Sequence, residues 1–159
     1  MKLALSYIAL LLATFASTAA KAEDDLPREL LLRCDLKNTT FMVVNGKTEF
    51  HEEAEVKDFH LKDGTIEFAS GFVPLGTGCK LSDGKIGCKY SRTLTSRSGE
   101  LGPSVEKRES VVLLTRATGQ MLLQINVRSY QGETIKGEPG LTMNSRYEGV
   151  CRSIGKPLF

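Results

Sequence analysis

Gly78-Cys79-Lys80-Leu81-Ser82-Asp83-Gly84-Lys85-Ile86-Gly87-Cys88-Lys89-Tyr90 reads as a β-hairpin turning on Asp83-Gly84. Asp-Gly suits a two-residue type I′ turn, in which both central residues need positive φ. The turn fixes the pairing outward: Ser82 with Lys85, Leu81 with Ile86, Lys80 with Gly87, Cys79 with Cys88. Alternate pairs along such a ladder are hydrogen-bonded. Cys79 and Cys88 fall in a non-hydrogen-bonded pair, with Cα atoms roughly 4.5 Å apart. A disulfide spans about 4.4 to 6.8 Å between Cα atoms, so this pair is bridgeable. Cys79, Leu81, Ile86, Cys88 and Tyr90 share a dry face, and Lys80, Ser82, Lys85, Lys89 and Ser91 a wet, basic one.

The chain has four cysteines. An exported chain with four cysteines reads as two disulfides. Pairing Cys79 with Cys88 leaves Cys34 with Cys151, which would tie the first strand to the last. The spacings match no common zinc pattern.

Residues 1–22 read as an export signal. Lys2 supplies the positive start, Leu3 to Phe15 is mostly apolar but short for a membrane span, and Ala20-Lys21-Ala22 is a cleavage match. Residues 23–159 then form a single domain that does not span a membrane. Removing Lys2 and Lys21 balances acids against bases, yet the halves differ. Residues 23–76 hold 12 acids and 6 bases, whereas residues 77–159 hold 7 acids and 13 bases. That asymmetry fits mutual attraction within one fold or an interaction surface.

Three more turns follow the same chemistry. Asn45-Gly46 pairs Phe41 with Phe50 and Val43 with Thr48. Asp63-Gly64 pairs Leu61 with Ile66 and Phe59 with Phe68. Ala117-Thr118-Gly119 suits a three-residue loop ending in a left-handed glycine. An early strand over 29–36 carries Leu30, Leu32, Cys34 and Leu36 on one face, and a separate strand covers 40–44. The apolar parity changes between Val56 and Phe59, which predicts a bulge near Lys57-Asp58. Asn38-Thr39-Thr40 is a glycosylation sequon on paper. Outside the signal no stretch has a helical period. Nine or ten strands joined by tight hairpins predict an all-β, antiparallel up-and-down meander closing into a small barrel or half-barrel with two disulfides.

The catalytic inventory is thin. No G-x-S-x-G nucleophile motif occurs, and the cysteines are committed to bridges. His51 and His60 are expected on outward faces of different strands, so no catalytic residue, metal site or cofactor is expected. Glu52, Glu53 and Glu55 read as a solvated acidic strand. Lys80, Lys85 and Lys89 form a small basic patch without the interleaved aromatics that nucleic-acid binding uses. The apolar loop containing Phe72, Val73 and Leu75 either plugs the core or presents a binding surface. These features point to a non-catalytic binding module, periplasmic or secreted, with an envelope protein as partner. A lipocalin-like carrier of a small apolar ligand is the alternative.

Leu32-Arg33-Cys34-Asp35, Arg116-Ala117-Thr118-Gly119 and Tyr147-Glu148-Gly149-Val150-Cys151-Arg152 resemble small exported, disulfide-containing β-proteins of alphaproteobacteria. That resemblance implies a periplasmic location and no activity. More distantly the chain is similar to MliC-type lysozyme inhibitors, disulfide-linked β-barrels that insert a Ser-Gly-x-x-Tyr loop into the lysozyme cleft. Ser98-Gly99-Glu100-Leu101 and Ser70-Gly71-Phe72-Val73 both lack the tyrosine.

Overall fold

The structure, a computed structural model, describes residues 25–71, 73–97, 102–132 and 135–154. The expected signal segment, Phe72 and the 98–101 loop lie outside these residues. Eight strands follow in order: β1 (Glu29–Val44), β2 (Lys47–Lys62), β3 (Thr65–Phe68), β4 (Pro74–Ser82), β5 (Lys85–Ser96), β6 (Ser104–Thr115), β7 (Gln120–Gln131) and β8 (Leu141–Ser153). Each pairs antiparallel with the next, and β8 returns to β1, which closes the barrel.

The turns carry this topology. Asn45, Asp63 and Asp83 adopt φ of 48°, 47° and 51°, each followed by a glycine with positive φ. These are the left-handed pairs of type I′ turns, whose twist matches that of the flanking strands. The amide of Gly119 donates to the Thr115 carbonyl at 2.8 Å and closes the β6–β7 loop. Ladder alternation then sorts the side chains. Leu30, Leu32, Cys34 and Leu36 of β1 all point inward and are buried. They meet Phe59 and Leu61 of β2, Ile86 of β5, Val112 and Leu114 of β6, and Met121 and Leu123 of β7. Burying each large side chain stabilises the fold by about 1.5–3 kcal/mol. Phe59 and Phe68 rings sit 5.2 Å apart at 33°.

Both bridges line this core. Cys34 pairs directly with Cys151 across β1 and β8, with Cα atoms 3.9 Å apart. The Met121 sulfur packs 3.8 Å and 3.5 Å from the two bridge sulfurs. Cys79–Cys88 joins β4 to β5 with Cα atoms 4.2 Å apart. Gly149 lets β8 approach β1, because a Cβ there would strike the Asp35 carbonyl oxygen. All four cysteines are bridged. Two such bridges mark an oxidising, non-cytoplasmic compartment.

The structure departs from several of the sequence expectations. Strands number eight, because 29–36 and 40–44 form one continuous strand. Its partner β2 is equally continuous, and the ladder runs from Glu29↔Lys62 to Val44↔Lys47 without a shift. No bulge interrupts Lys57-Asp58. The apolar parity changes there because the inward face itself turns polar, leaving Phe41 and Phe50 paired on the outer wall. A bulge lies elsewhere: Thr77 pairs with Lys89 and Lys80 with Gly87, so Gly78 and Cys79 together oppose Cys88. Gly78 holds φ at 57°, the left-handed conformation that the first residue of a G1 bulge requires. Asn38 of the sequon is a buried mid-strand residue, not an accessible loop asparagine.

Candidate functional site: the open end of the barrel

Unequal strand lengths split the barrel into two levels. β1 and β2 have 16 residues each, whereas β3 has 4. The β2–β3 ladder stops at Phe59↔Phe68, and the Ala69 amide donates to the Asp58 carbonyl just beyond it. The β4–β5 ladder stops at Thr77↔Lys89. Farther from the disulfides, no described strand pairs with the outer edge of β2 over 47–57 or of β5 over 90–96. There the barrel becomes a curved six-stranded sheet in the order β2-β1-β8-β7-β6-β5, with two free edges flanking a trough.

Alternation also decides what those edges present. The Asp58 carbonyl faces β3, so Val56, Ala54, Glu52, Phe50 and Thr48 aim their amides and carbonyls at the gap. Lys89 accepts from Thr77 Oγ1 at 3.2 Å, so Ser91, Thr93 and Thr95 do the same from β5. Glu49, His51, Glu53, Glu55 and Lys57 share the inward parity of Phe59 and Leu61, and their side chains line the trough.

The trough has an ordered polar floor. Thr40 Oγ1 lies 2.8 Å from Ser145 Oγ and donates to Asn38 Oδ1 at 3.1 Å. Asn38 Nδ2 donates to Glu53 Oε1 at 3.4 Å. Lys57 Nζ pairs with Glu55 Oε2 at 2.8 Å and lies 6.0 Å from the Phe68 ring centroid. Hydrogen bonding to Glu55 raises the lysine pKa above its ordinary value. Tyr147 stands beside this pair. Burial pushes its phenol up, and the charges of Glu55 and Glu53 add to that. Across the trough Arg108 Nε lies 3.6 Å from Glu106 Oε1. Arg108 Nε and Glu55 Oε1 are buried without a hydrogen-bond partner. A row of carboxylates on β2 therefore faces arginine on β6, over a floor of neutral donors.

The residues singled out in the sequence lie elsewhere. Val73 is exposed, while Leu75 is a plug: it is buried, and its carbonyl accepts from Ser110 Oγ at 2.6 Å. Lys80, Lys85 and Lys89 project from the outer wall, away from the trough. Lys85 borders an outer concavity of about 410 Å³ with Leu113, Leu122, Glu148 and Val150. His60 faces outward as expected and sits 3.0 Å from Glu29. His51 does not; without a bulge at Lys57-Asp58 it faces the trough, 3.6 Å from Glu49. Glu53 and Glu55, expected to be merely solvated, line the trough, and that reading missed the floor residues Asn38, Thr40 and Ser145 together with Glu49, Lys57, Glu106, Arg108 and Tyr147. For β1 and β2 the signal was available: counting alternation upward from Leu32 and across the Asn45-Gly46 turn places Asn38, Thr40, Glu49, Glu53, Glu55 and Lys57 inside.

No group of three or more His, Cys, Asp or Glu side chains suited to a metal ion occurs among the described residues. Comparison with known protein families, with curated proteins and with solved structures finds no match to this chain.

Proposed function

We propose that this chain is a non-catalytic binding module of the cell envelope, periplasmic or secreted, that grips another protein at the open end of its barrel. The observation that carries this reading is the pair of free strand edges flanking a charged trough. Free edges hold unpaired backbone groups that invite pairing, and the disulfide-tied base presents them on a rigid support. Side chains fill that base, which favours a protein partner over a small apolar ligand.

Photo-crosslinking in the native compartment tests the reading. A photoreactive phenylalanine analogue replacing His51, in the trough, is expected to yield one dominant adduct. The same analogue replacing Lys80, on the outer wall, is expected to yield none. Equal labelling at both positions, or no adduct at His51, would overturn it.

A further inference from the structure

Resting on that reading, we infer that the β2 edge takes an extended partner segment as an added strand, one that alternates basic and apolar residues.

Backbone geometry supplies the first argument. Thr48, Phe50, Glu52, Ala54 and Val56 direct their amides and carbonyls into the gap, and no described strand receives them. Strand addition satisfies such a row with main-chain hydrogen bonds and leaves specificity to the alternating side chains.

Side-chain chemistry supplies the second. On the trough side of β2 an added strand meets Glu49, His51, Glu53 and Glu55. Three of these four are carboxylates, so lysine or arginine fits the positions pointing inward. On the outer side it meets Phe50 and Val56, which are 61 % and 59 % exposed, with Ala54 and Glu52 between them, the Glu52 carboxylate being paired with Lys37 at 2.9 Å. Apolar residues fit the positions pointing outward. Inward-pointing charges guard an edge against uncharged or acidic strands, and a row of carboxylates leaves it open to a basic one. Here only the inner row is strongly charged, and Phe50 stands uncovered.

The same arithmetic disfavours a second copy of the chain. Two β2 edges paired antiparallel about Glu53 would set Glu53 against Glu53, and like charges directly opposite destabilise a sheet.

The test uses the full, oxidised protein and a synthetic peptide of about ten residues alternating lysine and valine, which matches the free length of the edge. Binding is read by fluorescence anisotropy. The alternating peptide is expected to bind roughly tenfold or more tightly than a peptide of the same composition with lysines and valines in separate blocks. Ala54→Pro removes an edge amide that makes no bond within the fold, a position where a strand tolerates proline, and is expected to weaken binding about tenfold. If Ala54→Pro misfolds by circular dichroism, an alternating peptide N-methylated on every second residue, in both phases, replaces it. One phase should lose binding on the unaltered protein. Equal affinity for the alternating and block peptides, or indifference to both Ala54→Pro and N-methylation, would overturn strand addition. An adduct at His51 alongside a failed peptide test leaves the binding module standing without this mode. Peptide binding without any adduct removes the module reading instead.

Discussion

Tyr147 shows how a single side chain reports on the trough. Its phenol sits between the apolar core and the Glu53 and Glu55 carboxylates, and burial raises its pKa above 10.0. The folded state therefore holds this proton more tightly than the unfolded chain. Between the unfolded and folded values the unfolded state binds fewer protons, so stability falls as pH rises through that window. We expect a spectrophotometric titration to show a late-ionising tyrosine, and Tyr147→Phe to abolish that step and flatten the alkaline loss of stability. An unchanged titration in Tyr147→Phe would remove the phenol from this environment. In the sequence the residue stands out only as the first of the Tyr147–Arg152 motif, with no role attached. Its neighbours Glu53 and Glu55 come from a strand nearly a hundred positions earlier, and only the β1–β2 and β1–β8 registers together bring them near.

Among elements, β2 holds most of the functional interest. Its hydrogen bonds run to β1 from Glu49, His51, Glu53 and Glu55, while those of Phe50, Glu52 and Ala54 face the gap. Amide exchange followed residue by residue should alternate along 49–55, slow at odd positions and fast at even ones. Uniform protection would mean that another segment covers the edge. How much of such an element a sequence reveals depends on the range of the cause. Asn45-Gly46 and Asp63-Gly64 fixed both ends of β2, because turn chemistry is local. The supposed bulge at Lys57-Asp58 came from assuming that the inward face stays apolar throughout. The short β3 breaks that assumption: beyond Phe68 no described strand covers β2, and its inward face is lined by charged side chains. Gly78 misled in the opposite direction: its bulge reverses the parity of β4, but a second irregularity opposite Ile66 and Glu67 reverses it again, so Leu75, Cys79 and Leu81 keep an even spacing and the hydrophobic pattern carries no mark.

At the scale of the molecule, the two disulfides differ in what they constrain. Cys34–Cys151 closes a sequence separation of 117 and Cys79–Cys88 one of 9. Loop entropy assigns them roughly 5 and 3 kcal/mol. Replacing Cys34 and Cys151 by serine should therefore lower the denaturant midpoint more than replacing Cys79 and Cys88, and each double variant should retain the other bridge by mass analysis. A variant lacking Cys79 and Cys88 that still held two bridges would contradict the pairing. The all-β barrel and this pairing were legible because turns, parity and cysteine count all pointed the same way. The open end was not, because it arises from a mismatch in length between strands on opposite sides of the barrel.

The Cys34–Cys151 bridge has a mechanical consequence. Tension applied through handles at Asp25 and Ile154 would reach Cys34 from one side and Cys151 from the other. The covalent link between them carries that load directly. Everything from Asp35 to Val150 lies in a slack loop, shielded from force while the bond is intact. Reduction would release a tether on the order of 400 Å once the barrel gave way. The oxidised molecule thus behaves as a short inextensible link with a folded domain hanging from it, able to hold its edges in shape while its two ends are pulled.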